Sequence, residues 1–83
     1  MTKLSDAPLF TPLRIKSIDT SAHAAISRRL LELGFIPDSI IEVRHEGPVL
    51  NDPLAVLVRG MVVALRRYEA HLITVEILPE TTR

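Results

Sequence analysis

The stretch Arg28–Pro37, RRLLELGFIP, holds a helix end, a glycine stop and a strand entry within ten residues. At about 100° per residue, Ile26, Leu30 and Leu33 fall within roughly 60° of one another and make one apolar stripe. Leu31 lies about 100° from Leu30, on the flank of that stripe. Gly34 supplies the left-handed position on which many helices end, and Phe35 is placed to fold back onto Leu30 in a Schellman-type contact. Pro37 bars the helix from resuming and pushes Ile36 toward an extended conformation. The residues before the glycine stop read as a helix, and those after it read as strands and turns.

Upstream, Leu13 and Ile15, with Ile18 beyond them, alternate with Arg14 and Lys16 as a half-buried strand does. Asp19, Thr20 and Ser21 end that strand and offer side-chain oxygens to cap a helix over about Ala22–Leu33. Met1–Ala7 is polar and is expected to fray. Pro8 and Pro12 bracket Phe10 in an extended piece, with the ring expected to tuck against the barrel.

Downstream, Pro37-Asp38-Ser39 is a turn, and Ile41 and Val43 alternate with Glu42 and Arg44 in the second strand. Gly47–Pro53, GPVLNDP, reads as a loop in which Val49 and Leu50 stand where turn chemistry favours polar residues. Leu54–Arg59 and Met61–Leu65 are strands joined at Gly60. Arg66–His71 suffices for one helical turn, Ile73, Val75 and Ile77 mark a closing strand, and the tail ETTR after Pro79 is expected to be loose. The expected fold is mainly β: a small SH3-like five-stranded barrel with one helix between the first two strands and a helical turn before the last.

Eighty-three residues support one domain, with its core over about residues 10–78. The 47% apolar content suffices for that core, and ten basic against ten acidic side chains give no field to draw a nucleic acid. No cysteine is present, so disulfides and thiolate zinc sites are excluded, which fits a reducing compartment. No apolar run approaches the roughly 18 residues of a membrane span. The start is interrupted by Asp6 and Pro8 and is too short for a signal peptide, so the expected location is the cytoplasm.

His23, His45 and His71 have no paired spacing, and no HxxxH or HxxE motif sets two ligands on one helix face. His71 with Glu69 or Glu76, or His45 with Glu42 or Glu46, makes at most a weak oxygen/nitrogen site, so no metal site and no cofactor is assigned. Ser5, Ser17, Ser21, Ser27 and Ser39 lie in no nucleophile elbow, and no glycine-rich cofactor loop accompanies the carboxylates. No catalytic residue is assigned, and the chain reads as a non-enzyme. The pairs Arg28-Arg29 and Arg66-Arg67 read as solvated faces with acidic partners such as Glu32 and Glu69. Phe10, Phe35 and Tyr68 are too few for a base-stacking platform.

Leu31, Val49, Leu50 and Met61 are the apolar residues that the periodicity does not place inside. Scattered exposed apolar side chains are ordinary, but converging on one side they form a patch for another protein. The candidate partner-binding set is Leu31, Arg28, Leu30, Val49, Leu50 and Met61, led by Leu31 on the helix flank, with Leu30 expected to serve the core as well.

The blocks RRLLELGFIPDSIIEV, DPLAVLVRG and ALRRYEAHLITVE, in this order, resemble the FeoA family over about Leu13–Ile77. The fold also resembles the C-terminal domain of DtxR-type metal-dependent repressors, here without the DNA-binding helices that precede it there. The resemblance implies a cytoplasmic accessory or regulatory component of bacterial ferrous iron uptake. Its implied partner is the FeoB transporter, a membrane protein with a cytoplasmic GTPase domain, which would hold it at the inner face of the membrane. Neither an activity of its own nor a cofactor is implied, and weak self-association is open. The alternative is a metal-sensing or divalent-metal-binding SH3-like module. Two departures stand out: Asp38 replaces a usual glycine, and PVLNDP replaces the usual PLGDP, leaving Asn51 to take the left-handed position.

Overall fold

A computed structural model of the chain describes residues 1–21 and 23–79. Its elements run β1 (Thr2–Lys3), β2 (Leu13–Ile18), α1 (Ala24–Leu33), β3 (Ile40–Val49), β4 (Asp52–Val58), β5 (Met61–Leu65), α2 (Arg67–Ala70) and β6 (Ile73–Ile77). The strands form one antiparallel sheet in the order β1-β6-β2-β3-β4-β5, the mainly β, SH3-like architecture that the sequence predicts. Its inner face carries Leu13 and Ile15 from β2, Ile41 and Val43 from β3, Leu54, Val56 and Val58 from β4, and Ile73 and Val75 from β6. Leu30 and Phe35 close one side of that core.

The corner at Gly34 forms as its residues require. Gly34 is left-handed (φ 109°), its N–H donates to the Leu31 carbonyl at 3.1 Å, and the Phe35 N–H donates to the Leu30 carbonyl at 3.0 Å. Those are the two bonds of a Schellman motif. A Cβ on Gly34 would crowd the Arg59 side chain, with Cγ at 3.0 Å and Val58 Cγ2 at 3.4 Å, so the end of α1 packs on the turn between β4 and β5. Ile36-Pro37-Asp38-Ser39 then makes a type II turn closed by the Ser39 N–H on the Ile36 carbonyl at 3.1 Å. Asp38 holds its left-handed third position (φ 73°), as expected of an aspartate standing in for glycine. The Asp38 N–H donates to the Ile15 carbonyl at 2.7 Å, which ties the turn to β2.

The structure departs from the sequence reading in five places. Met1–Ala7 is not frayed: Thr2 and Lys3 pair with Val75 and Thr74, and a 3₁₀ turn over Leu4–Asp6 carries Leu4 into full burial. Burying one leucine contributes about 1.5–3 kcal/mol toward the cost of ordering this segment, and the pairing of β1 with β6 adds to it. The five expected strands are therefore joined by a sixth. At the start of α1, Asp19 Oδ1 accepts from the Ser21 N–H (3.0 Å) and hydroxyl (2.7 Å) and does not cap the helix, whose N-cap is His23. Ala22, the expected first helical residue, lies outside the described residues, as does the tail Glu80–Arg83.

Phe10 is 65% exposed and does not tuck in, because its left-handed backbone (φ 56°) is fixed by its N–H on the Val43 carbonyl at 2.8 Å. The segment Gly47–Pro53 is no loop. β3 and β4 run on to a two-residue turn, Leu50-Asn51, with both residues left-handed (φ 56° and 59°) and Val49 paired with Asp52. A register shift between Glu46 and Val49 absorbs Gly47 and Pro48. Asn51 takes the left-handed role predicted for it, whereas Leu50 adopts it against its own preference. Finally, the sheet is not closed. Among the described residues β5 pairs with β4 alone, leaving an open edge.

Candidate protein-binding surface

α1 rotates successive residues by about 100°, so its buried stripe and its flank belong to neighbouring positions. Leu30 is fully buried and Leu31 is 38% exposed. Leu30 therefore drops out of the partner-binding set, since its side chain is enclosed by the core and offers nothing to another molecule. Arg28 and Glu32 are exposed on the same helix. Met61 is half exposed just past the Arg59-Gly60 turn, and the end of α1 packs against that turn. Leu31 and Met61 are thereby brought to one end of the molecule.

Ile36, also half exposed, extends this end and escaped the sequence reading. Its signal was the alternation that sends Phe35 inward and its neighbour outward. Val49 and Leu50 are strongly exposed but lie at the other end of β4. The seven residues of that strand span about 20 Å, so the candidate residues lie in two separate places and not in one patch.

The arginine pairs are mostly committed within the fold. Arg29 Nη1 lies 3.3 Å from Glu69 Oε2, Arg66 Nη1 lies 3.7 Å from Asp52 Oδ2, and Arg67 Nη2 lies 3.1 Å from Glu46 Oε2. The Arg67 N–H donates to Asp52 Oδ1 at 3.0 Å, and its guanidinium reaches the carbonyls of Asn51 and Ser5. Glu69 is buried and accepts the Arg66 N–H at 2.9 Å, which caps α2. Among the described residues Arg28 makes no ion pair within 4.0 Å, which leaves a cation beside Leu31.

The histidines sit elsewhere. His23 and His71 line an open groove with Ser5, Asp6, Asp19 and Tyr68, and His71 Nδ1 lies 3.4 Å from the Ser5 hydroxyl. The Ser21 N–H, and then its hydroxyl, hold the Asp19 carboxyl below the usual carboxylate range. Near His45, Glu42 pairs with Arg44 at 2.9 Å and Glu46 with Arg67 at 3.1 Å. Glu76, the carboxylate considered for His71, lies 3.9 Å from Arg14 and 3.8 Å from Lys16. Among the described residues no group of three potential ligands is arranged to hold a metal ion, and no helix is long and apolar enough to cross a membrane.

Comparison with known proteins bears on what this surface serves. The FeoA domain family matches residues 2–77. The FeoA of Stenotrophomonas maltophilia, solved with zinc and described as a prokaryotic SH3 domain protein, is 39% identical with a TM-score of 0.80, over 92% of this chain and 91% of that one. Iron(II) transport protein A of Clostridium thermocellum is 34% identical with a TM-score of 0.82, over 93% of this chain. The present chain spans 46% of that protein's length. The FeoA protein of Chlorobium tepidum is 34% identical with a TM-score of 0.83, over 98% of this chain and 74% of that one. The manganese regulator SloR, 9% identical with a TM-score of 0.73 over 93% of this chain and 34% of its own, shares the fold alone, as the likeness to DtxR-type repressors anticipates. Comparison with curated proteins finds no match. With its glycine corner, its SH3-like sheet and a family match over nearly its whole length, this chain belongs to the FeoA family.

Proposed function

We propose that this chain is a non-enzymatic accessory protein of ferrous iron uptake, which works in the cytoplasm by binding a FeoB-type transporter through the flank of α1. The observation that carries this reading is Leu31, partly exposed beside Arg28 on a helix whose corner is rigidly tied to the sheet. A half-exposed leucine next to a cation suits a partner surface that is apolar at its centre and acidic at its rim. Met61 and Ile36 enlarge the same end. The Val49-Leu50 turn would be touched as well only by a partner that reaches both ends of β4. Binding would bias the transporter, or its GTPase domain, toward whichever state holds the chain more tightly.

The test is iron(II) uptake by cells that lack the chain and are complemented with wild type or with Leu31→Ala. The reading expects wild type to restore uptake and Leu31→Ala, present and folded, to restore little. Full restoration by Leu31→Ala would contradict it. The competing reading, a metal-binding module, is favoured by the zinc held in the Stenotrophomonas maltophilia relative. It expects iron(II) or zinc binding that is lost in a His45→Ala, His71→Ala variant, together with loss of uptake. The accessory reading expects that variant to sustain uptake.

A further inference from the structure

The edge of the sheet at β5 has a regular geometry of its own. Its Arg59-Gly60 turn (φ 53° and 77°) is of the two-residue type I′ kind, whose flanking residues, Val58 and Met61, exchange both backbone hydrogen bonds. Alternation from Met61 then directs the N–H and C=O of Met61, Val63 and Leu65 to β4, and those of Val62 and Ala64 outward. The pairs from Val58–Met61 to Leu54–Leu65 run without a register shift. Met61–Leu65 carries no charge and no proline, so it lacks two of the devices that blunt an exposed edge. Val62 is 62% exposed and Ala64 is exposed with it, beside their cross-strand partners Leu57 and Ala55.

We infer that β5 is a self-association edge, at which two copies of this chain pair antiparallel about a twofold axis through Val63 and continue the sheet from one molecule into the other. In that register Val62 of each copy faces Ala64 of the other. Every outward backbone group of the strand is then used, in four hydrogen bonds. The same pairing sets a larger side chain against a smaller one, which a register centred on Val62 does not. An uncharged strand meets no repulsion from its copy, and two of the three flanking arginines are paired with carboxylates of their own molecule. Arg66 lies 3.7 Å from Asp52, Arg67 lies 3.1 Å from Glu46, and Arg59 stays in the turn. A five-residue strand is about 17 Å long. It covers far less than the roughly 800 Å² per partner of a standard interface, so the dimer is weak and dissociates on dilution.

Sedimentation equilibrium of the full chain from micromolar to millimolar concentration tests this, alongside amide hydrogen exchange over the same range. The expected result is a mass that climbs toward the dimer while the Val62 and Ala64 amides become protected. Val62→Pro removes an outward N–H and leaves the bonds to β4 intact, a change that edge strands accept. It should weaken association by about tenfold or more, while Val62→Thr, which keeps the N–H, changes it little. Ala64→Lys, which sets a charge against the copy's Val62, provides the same test if Val62→Pro does not fold. A monomer throughout the range would overturn the inference, as would folded edge variants that associate like wild type. Protection of the two amides only when transporter is added would also overturn it, and would assign the edge to a foreign strand.

Discussion

The Phe35 amide donates to the Leu30 carbonyl at 3.0 Å, and both side chains are completely buried. This bond folds the chain back over the end of α1 and fixes which residue of the pair Leu30-Leu31 faces inward. With Leu30 held in the core, the helical step leaves Leu31 on the surface. The same corner thus terminates the helix and presents the residue proposed to meet a partner.

Gly34→Ala should destabilise the fold by about 1–3 kcal/mol. A left-handed φ of 109° disfavours any Cβ by about 1–2 kcal/mol, and the new methyl would displace the Arg59 side chain. Urea denaturation measures the loss, and wild-type stability would contradict the described corner.

Leu30→Ala and Leu31→Ala should separate sharply. The first empties a fully enclosed site and should cost about 2–5 kcal/mol, whereas the second should cost under about 1 kcal/mol. Equal losses in thermal or urea unfolding would show that the flank is structural.

Glu69→Ala should cost about 1–3 kcal/mol, because it removes the acceptor of the Arg66 N–H at 2.9 Å at a buried position. Arg29→Ala, which removes a half-exposed partner 3.3 Å from Glu69, should cost no more than about 1 kcal/mol. A double-mutant cycle isolates the pair from the cap.

Asp19 should titrate below its ordinary 3.8, chiefly because the Ser21 N–H bonds its carboxylate, and then because the Ser21 hydroxyl does. A carboxyl depressed in the folded state stabilises above its unfolded pKa, and that contribution fades as pH falls through the folded value. The contribution of Asp19 is therefore fully present at neutral pH and is lost only in acid. A carboxyl titration followed by NMR should show the low value in wild type and a rise in Ser21→Ala.

The features legible in the sequence were those set by near neighbours. The Gly34 stop, the type II turn at Asp38, the Gly60 hairpin and the single turn of α2 each lie within a few residues of their cause. Relationships across the sheet were not legible. Lys3 finds Thr74 at a separation of 71 residues, so nothing local to Met1–Ala7 announces a strand. Arg29 meets Glu69 through the fold, not along a helix face, and the buried cap role of Glu69 depends on that meeting. Leu50 was anomalous in the sequence for a reason now visible: it sits at the tip of a tight turn that composition did not predict. At the candidate surface the exposure of Leu31 was legible from helical phase. The separation of Val49 and Leu50 from it was not, because it depends on the length of β4 and the bulge that lengthens β3.

The central claim is binding through the flank of α1, and a titration tests it most directly. The chain would be titrated into the transporter's soluble GTPase domain and into the full transporter, each with and without nucleotide, beside Leu31→Ala. The account predicts saturable binding to at least one of them, weakened about tenfold or more by Leu31→Ala in a variant that still folds. Absence of binding to both by the folded chain, or binding that Leu31→Ala leaves unchanged, would contradict it.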